Sequence, residues 1–202
     1  MRSSIGQHGL FDIGGPRVLV EDVEGGIVYH PGVVSEAMAR RWFEALRDEV
    51  PWQAQQRPMY DRIVDVPRLT AAYRLAREDL PMPLREAAAL LRQRTGQPFN
   101  AVGLNHYRDG RDSVAPHNDK LHILVPHHPI ALVSLGAPRR MVIRAKRVPR
   151  TSIAIDLEPG SLLLMSYDSQ LHYEHGVPKT REPVGPRISL AFRVRPDVDR
   201  LP

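Results

Sequence analysis

Residues 130–166, IALVSLGAPRRMVIRAKRVPRTSIAIDLEPGSLLLMS, decide the fold, because short apolar runs follow one another there with no room for a helix between them. Turn residues mark two of the boundaries between these runs, namely Gly136-Ala137-Pro138 and Glu158-Pro159-Gly160. Short strands at this spacing are typical of an antiparallel sandwich or jelly roll. The strands predicted in the second half of the chain are 99–107, 130–135, 141–146, 152–157, 161–166 and 187–194.

The first half of the chain predicts two helices. Ser35 can cap a helix that runs to Val50, and a second helix begins at Pro83 and stops before Gly96. The first helix carries an apolar face with the i, i+3, i+4 spacing, namely Ala39, Trp42, Phe43, Leu46 and Val50. Residues 17–30 read as two short strands around a Gly-Gly turn. We therefore predict an α+β fold in which two N-terminal helices pack against a β-sandwich.

Composition limits the possible chemistry. The 202 residues are 42% hydrophobic, which suits a single domain with one sizeable core. The chain has no Cys, which excludes disulfides, thiolate catalysis, zinc–sulfur sites and iron–sulfur clusters. Any metal must bind His, Asp or Glu. The chain begins without an apolar leader and contains no long apolar run, so we expect a soluble cytoplasmic protein without membrane association, acting as a monomer.

The net charge of +5 comes from the second half of the chain. Residues 1–100 carry 13 basic and 13 acidic residues, whereas residues 101–202 carry 15 and 10. Residues 139–150, RRMVIRAKRVPR, hold six of these bases and no acid. A polyanionic partner would explain this stretch. A solvated edge hairpin, whose charges prevent sheets from associating, would explain it equally well.

A candidate metal site begins with His117 and Asp119, which are separated by one residue. In an extended chain both side chains point to the same side. A second His would complete the two-His, one-carboxylate arrangement of non-haem Fe(II) oxygenases. The segment LHYEHGVPK offers His172 and His175, and spacing alone does not choose between them. His-x-Asp by itself is a weak signal.

Two further strands carry polar residues at period two. Arg187, Ser189 and Arg193 share one face of RISLAFR, and Asn105 and Tyr107 share one face of the strand that contains NHY. The other face of RISLAFR is apolar, with Ile188, Leu190 and Phe192. Two guanidinium groups on an inward face would require an anion as partner. Alternation alone favours a solvent-facing position for the arginines.

Taken together and in order, these segments resemble the AlkB family of 2-oxoglutarate dioxygenases, particularly its nucleic-acid demethylase branches. The similar segments are GGIVYHPGVV, PFNAVGLNHYRDGRDSVAPHNDK, IALVSLGAPRRMVIRAK, EPGSLLLMS, HYEHGVPK and GPRISLAFR. They cover most of the chain. The ordered set of His-x-Asp, His-Gly and the spaced Arg pair is far more specific than any single motif. The resemblance implies a double-stranded β-helix, or jelly-roll, core at 99–197, with residues 1–98 supplying the helices and a substrate lid of one catalytic domain.

The resemblance also implies the cofactors, which are Fe(II), 2-oxoglutarate as cosubstrate and O₂. Carried over position by position, it makes His117, Asp119 and His175 the metal ligands and thereby the catalytic set. It selects His175, which stands before Gly-Val-Pro, over His172.

The cosubstrate positions follow in the same way. Asn105 and Tyr107 fall on the family's Asn-x-Tyr, and Arg187 and Arg193 fall on its two arginines, one expected near each end of 2-oxoglutarate. Ser189 stands where many members have Asn, so its hydrogen-bonding contribution is left open.

The implied activity is oxidative demethylation of N-alkylated bases in DNA or RNA, as in DNA repair or RNA modification. Hydroxylation of an N-methyl group gives a hemiaminal, which breaks down to formaldehyde and the free nitrogen. The base would be single-stranded or flipped, with Tyr60 and Tyr73 as lid residues and Arg68 as a phosphate contact. Lys120 and Leu121 stand where well-known members carry an acidic residue that recognises the base, so the preferred base stays open.

Two alternatives belong to other classes. The same oxygenase chemistry could act on a protein or a small molecule, and the charged hairpin would then be irrelevant. The fold could also serve as a non-catalytic nucleic-acid-binding module, which the intact set of candidate ligands argues against.

Overall fold

The computed structural model describes residues 14–59 and 62–196. The strands are β1 Arg17–Val20, β2 Ile27–His30, β3 Gln53–Met59, β4 Arg62–Arg74, β5 Ala101–Tyr107, β6 Val114–His117, β7 Ile130–Gly136, β8 Arg139–Ala145, β9 Ser152–Leu157, β10 Leu162–Met165, β11 Tyr173–Val177 and β12 Arg187–Arg193. The helices are α1 Glu36–Glu49, α2 Met82–Thr95 and the single turn α3 Ser169–His172, and a 3-10 turn spans Leu121–Ile123.

The strands form two antiparallel sheets. The larger has eight strands in the order β1-β2-β10-β7-β12-β5-β4-β3, and the smaller has four in the order β6-β11-β8-β9. Side chains from both sheets fill a common core, including Tyr107 and Leu132 from the larger sheet and Met141, Ile143 and Val177 from the smaller. Two facing sheets with shared packing and crossovers between them form the predicted jelly roll, so the α+β prediction is confirmed.

Helices α1 and α2 cover the outer face of the larger sheet. The Ser35 hydroxyl accepts a hydrogen bond from the Met38 N–H at 3.4 Å, which satisfies a free donor at the start of α1. Gly96 ends α2 in the left-handed conformation, with φ of 67°. Trp42 and Leu84 are fully buried against the strands. Both predicted helices are confirmed.

The small sheet contains the pairing that positions the candidate metal site. Strands β6 and β11 run antiparallel and place His117 directly opposite His175. Gly176 makes this close approach possible, because a Cβ there would lie 2.9 Å from backbone atoms of Val114 and Pro116. Sequence analysis predicted neither strand.

Strands from the first half of the chain also extend the larger sheet. β4 is 13 residues long and pairs with β5 through residues 69–74, while its earlier part forms a hairpin with β3. β1 and β2 add to the other edge. The described part of residues 1–98 therefore contributes four strands as well as helices, and the role of this region as a substrate lid stays a prediction. Among the described helices, none has the length and apolar character needed to cross a membrane.

Candidate metal centre

His117, Asp119 and His175 converge at one point between the sheets. One ligand atom from each residue lies within 4.8 Å of those of the other two, and the two imidazole rings are 4.6 Å apart. Asp119 and His175 are buried, and His117 stands at the exposed rim. The cluster has the donor set of a two-His, one-carboxylate metal site.

Asp119 is held in place by Arg193 and Gln170. Arg193 grips the carboxylate with two hydrogen bonds, Nε to Oδ2 at 2.6 Å and Nη2 to Oδ1 at 3.1 Å. The Gln170 side-chain oxygen accepts the backbone N–H of Asp119 at 3.0 Å. Burial alone would raise the pKa of Asp119, but the neighbouring Arg193 guanidinium outweighs burial and the pKa is lowered. The carboxylate is therefore ionised at neutral pH, as a metal ligand must be.

The imidazoles of His175 and His117 are prepared for metal binding in different ways. Burial lowers the pKa of His175 to about 4, with His117 adding to the effect and Asp119 opposing it. His117 Nδ1 lies 2.9 Å from the Ala115 carbonyl oxygen. Because a carbonyl can only accept, Nδ1 carries the proton and Nε2 keeps its lone pair for a metal.

His172, the other histidine that the sequence left open, lies outside this cluster. Its Nε2 is 3.7 Å from an Asp168 carboxylate oxygen, and its side chain is 39% exposed. The structure thus brings His175, and not His172, to His117 and Asp119.

Arg187 is the most unusual side chain near the cluster. It is fully buried, and its Nε donates to Ser134 Oγ at 2.9 Å. The guanidinium carbon lies 5.2 Å from the centre of the Tyr107 ring. Neither Nη1 nor Nη2 has a hydrogen-bond partner within the described ranges. Burial lowers the pKa of Arg187, although Tyr107 partly opposes this.

A buried guanidinium with two idle donors is costly to maintain unless an anion completes it. The solvent-facing position that alternation favoured is therefore wrong for this residue. Arg187 belongs to β12, which lies in the middle of the larger sheet between β5 and β7. The polar face of β12 is turned inward, toward the cavity. The two Nη groups of Arg187 are therefore suited to bind a carboxylate in the cavity that the histidines also line.

A cavity of about 410 Å³ joins the three candidate ligands to Arg187. The other residues predicted to contact 2-oxoglutarate also line it, namely Asn105, Tyr107, Ser189 and Arg193. Arg187 and Arg193 stand at the two ends of β12, so the cavity has a guanidinium at each end of that strand.

Arg68 lies between this cavity and a second one. Its Nε donates to Asn105 Oδ1 at 2.7 Å, and its Nη1 donates to the Ser113 carbonyl at 3.3 Å. The structure gives Arg68 internal partners that orient Asn105, and the phosphate contact expected for it stays a prediction. The second cavity has a volume of about 610 Å³ and shares Arg68, Val114 and His117 with the first.

Of the two expected lid tyrosines, Tyr73 is described by the structure and is not brought to the site. Tyr73 packs with the helical core, because its odd position on β4 turns it away from Arg68 and Thr70. Its ring contacts the Arg77 guanidinium at 5.8 Å, and it lines neither cavity beside His117. Tyr60 lies outside the described residues.

The basic stretch 139–150 forms the β8–β9 hairpin at the edge of the small sheet. Most of its charges have internal partners. Arg139 is buried and donates to three backbone carbonyls, Arg140 pairs with Asp156 at 2.9 Å, and Arg144 pairs with Glu174 at 3.5 Å. The hairpin therefore offers a polyanion far fewer free charges than its composition suggested.

A sequence model described as the 2OG-Fe(II) oxygenase superfamily matches residues 26–193. The chain belongs to this superfamily. Superfamily members use Fe(II), 2-oxoglutarate and O₂, and these are the cofactors of this chain. The His-Asp-His cluster and the idle donors of Arg187 fit the metal and a carboxylate of the cosubstrate, respectively.

Individual relatives confirm the resemblance to the AlkB family. The human DNA oxidative demethylase ALKBH2 is 40% identical over 106 residues, which is 49% of this chain and 41% of that protein. The human alpha-ketoglutarate-dependent dioxygenase alkB homolog 3 is 32% identical over 191 residues, which is 85% of this chain and 67% of that protein. The match to ALKBH2 thus spans less than half of that relative's length.

A solved structure shares the fold at lower identity. The crystal structure of the non-heme alpha ketoglutarate dependent epimerase SnoN from nogalamycin biosynthesis superposes with a TM-score of 0.58 at 17% identity, covering 85% of this chain and 81% of that one. At this identity the likeness supports the jelly-roll fold alone.

Gln170 was not predicted from the sequence as part of the site. It belongs to α3, is 1% exposed, and reaches the backbone of Asp119 across 51 residues of sequence. No spacing signal connects two positions so distant, and only the fold places them together.

Proposed function

We propose that the protein is an Fe(II)- and 2-oxoglutarate-dependent oxidative demethylase of N-alkylated bases in nucleic acid. The observation that carries the proposal is the convergence of His117, Asp119 and His175 beside a buried arginine whose two Nη donors are idle. In this assignment the three residues bind Fe(II), and Arg187 receives one carboxylate of 2-oxoglutarate. The protein is expected to act as a monomeric single catalytic domain in the cytoplasm.

Each residue has a defined task in this reaction. Asp119 and the two neutral imidazoles hold the metal, while Arg193 keeps Asp119 ionised and oriented. When bound, iron with 2-oxoglutarate and O₂ supplies the oxidant that hydroxylates the methyl group, and succinate and CO₂ are the coproducts. The hydroxymethyl group then leaves as formaldehyde: its C–N bond breaks, and the hydroxyl proton either moves to a nitrogen that normally carries one or is lost to solvent where the nitrogen is normally an acceptor. The chain orients the substrate and excludes water, and no side chain needs to act as a general base.

The choice of nucleic acid is supported by the relatives and by the second cavity. ALKBH2 is named a DNA oxidative demethylase, and DNA is therefore the first substrate to test. The 610 Å³ cavity meets the metal site at His117, and apolar side chains of Val64, Pro67, Val142 and Val177 line it. A planar base outside its stack would fit such walls, and a base within a duplex would first have to be flipped.

The proposal is tested by measuring formaldehyde and succinate from a panel of oligonucleotides. The panel contains single- and double-stranded DNA and RNA, each with one N-methylated base, and unmethylated strands serve as controls. We expect formaldehyde and succinate in equal amounts, dependent on Fe(II) and 2-oxoglutarate, with methylated strands alone. Succinate coupled only to a protein or small molecule would refute the nucleic-acid substrate. Failure to bind Fe(II) would leave a non-catalytic binding module as the better interpretation.

A substitution at Gln170 tests the metal assignment indirectly, because Gln170 holds the backbone of the proposed ligand Asp119. Replacing Gln170 with Leu leaves the Asp119 backbone N–H without its acceptor, and we expect Fe(II) affinity to fall by ~10- to 100-fold, the range typical for partners of metal ligands. Anaerobic Fe(II) titration measures this. Leu171→Ala, at a side chain that is 49% exposed next to it in α3, is the control and should bind normally. A Gln170→Leu variant that is less stable yet binds Fe(II) with unchanged affinity would show a purely structural role.

A further inference from the structure

The 610 Å³ cavity beside His117 contains a single carboxylate among the residues that the structure describes, that of Asp65. Asp65 lies on the part of β4 that extends beyond its pairing with β5, and the same cavity is lined by residues of β6, β8 and β11. Its Oδ1 accepts a hydrogen bond from Gln56 Nε2 at 2.9 Å, and the two residues are paired in the β3–β4 hairpin. Its Oδ2 receives no hydrogen bond from any described residue.

None of the cations around this carboxylate forms an ion pair with it among the described residues, although Arg68, Arg144 and Lys179 line the same cavity. Arg68 donates instead to Asn105 and to the Ser113 carbonyl. Arg108 lies near enough to be influenced by Asp65, but its guanidinium is bound by both carboxylate oxygens of Asp112, at 2.8 and 2.9 Å. Arg144 faces the same cavity and pairs with Glu174. Asp65 therefore remains available to a ligand, and its exposure means that it can bind without a large desolvation cost.

The metal-binding segment itself offers no other carboxylate that could contact a base. The two residues after Asp119 are Lys120 and Leu121, and neither supplies a carboxylate. Asp119 is committed to Arg193. Any anionic recognition of a base beside His117 must then come from the β4 side of the cavity, where Asp65 stands.

Methylated bases divide into two chemical classes by the charge of the methylated ring. A methyl group on N1 of adenine or N3 of cytosine occupies an acceptor nitrogen, so the base becomes a cation and keeps an exocyclic amine next to the methyl. A methyl group on N3 of thymine or N1 of guanine replaces a proton, so the base stays neutral. 3-Methylthymine has a carbonyl oxygen on each side of the methyl, and 1-methylguanine has a carbonyl on one side and an amine on the other. A carboxylate attracts the first class through charge and an accepted hydrogen bond, and it repels the carbonyl oxygen of the second.

We propose, on the basis of the proposed function, that Asp65 is the specificity-determining residue that selects cationic N-methylated bases carrying an exocyclic amine. The apolar walls hold the ring of the base, and the Asp65 carboxylate accepts a hydrogen bond from its amine. Lys179 stands at the exposed rim of the same cavity, where it can meet the backbone phosphate. Asp65 touches the part of the base that does not react, so it sets preference and not the chemistry.

The experiment compares wild type with Asp65→Asn on four oligonucleotides, which carry 3-methylcytosine, 1-methyladenine, 3-methylthymine or 1-methylguanine. For the two cationic bases we expect kcat/KM to fall by ~10- to 100-fold in Asp65→Asn, the loss typical of a hydrogen bond to a charged group. For the two neutral bases kcat/KM stays level or rises, because an amide can donate to a carbonyl. Binding of the metal-free protein to the same oligonucleotides, followed by fluorescence anisotropy, should show the same reversal.

Asp156→Asn is the matched control, since Asp156 is exposed, pairs with Arg140 and lies outside this cavity. It should leave all four substrates unchanged. An equal loss on all four bases in Asp65→Asn, or no change on any of them, overturns the role of Asp65 while demethylation stands. If wild type releases no formaldehyde from any of the four, the proposed function fails instead. Succinate formed without substrate should be equal in the two proteins, which shows that the iron site is intact.

Discussion

His175→Ala is expected to lose Fe(II) binding and with it all 2-oxoglutarate turnover. His175 is buried opposite His117, and removing its imidazole leaves two protein ligands. Loss of a partner to a metal ligand costs ~10- to 100-fold in affinity, so loss of the ligand itself should exceed ~100-fold. Anaerobic Fe(II) titration measures the binding, and succinate formation measures the turnover.

His172→Ala is the matched control for this change. Both histidines belong to the segment LHYEHGVPK, and sequence alone did not choose between them. His172 pairs loosely with Asp168 and stands outside the cluster, so its removal should leave Fe(II) affinity within about twofold of wild type, as for a surface substitution. A reversed result, with His172→Ala inactive and His175→Ala active, would refute the proposed ligand set.

The regular elements of this fold could be predicted from sequence because their local signals were strong. Helix α1 has a capping Ser35 and a complete apolar face, and α2 is bounded by Pro83 and Gly96. Strands β7 and β10, in the middle of the larger sheet, are nearly continuous apolar runs. Strands β6 and β11 were missed, since VAPH contains Pro116 and YEHGV lacks a regular alternation. Their pairing is a property of the tertiary structure.

The candidate site was predictable in membership but not in geometry. His117 and Asp119 form a local motif, whereas the third ligand was selected by resemblance to a family and not by spacing. Alternation placed Arg187 and Arg193 on one face, yet it could not show whether that face met water. Burial of a strand depends on what packs over it, and here the second sheet does so. Contacts between distant segments, such as Gln170 with Asp119, have no signal in a single sequence.

Arg187→Met should weaken 2-oxoglutarate binding strongly while leaving the protein as stable as before or more stable. In the wild type, Nη1 and Nη2 of Arg187 are buried and have no hydrogen-bond partner among the described residues. Two hydrogen bonds to a carboxylate, each worth ~1.5–3 kcal/mol, correspond to a rise in Kd of ~100-fold or more. Without cosubstrate, by contrast, a buried charge replaced by an apolar side chain of similar length often leaves the free energy of unfolding unchanged or raises it by ~1–4 kcal/mol.

Arg187→Met is the sharpest test of the cosubstrate assignment, because affinity for 2-oxoglutarate is expected to fall while stability stays the same or rises. Urea unfolding of metal-free protein gives the stability, and titration with 2-oxoglutarate in the presence of Mn(II) gives the affinity without turnover. Arg140→Met is the control, because Arg140 is an exposed partner of Asp156 and should alter neither quantity appreciably. If Arg187→Met bound 2-oxoglutarate as tightly as wild type, the idle donors would have another ligand. If affinity and stability both collapsed, Arg187 would be a structural residue of the core, held by Ser134 and Tyr107, and the carboxylate of 2-oxoglutarate would have to find its partner elsewhere in the cavity.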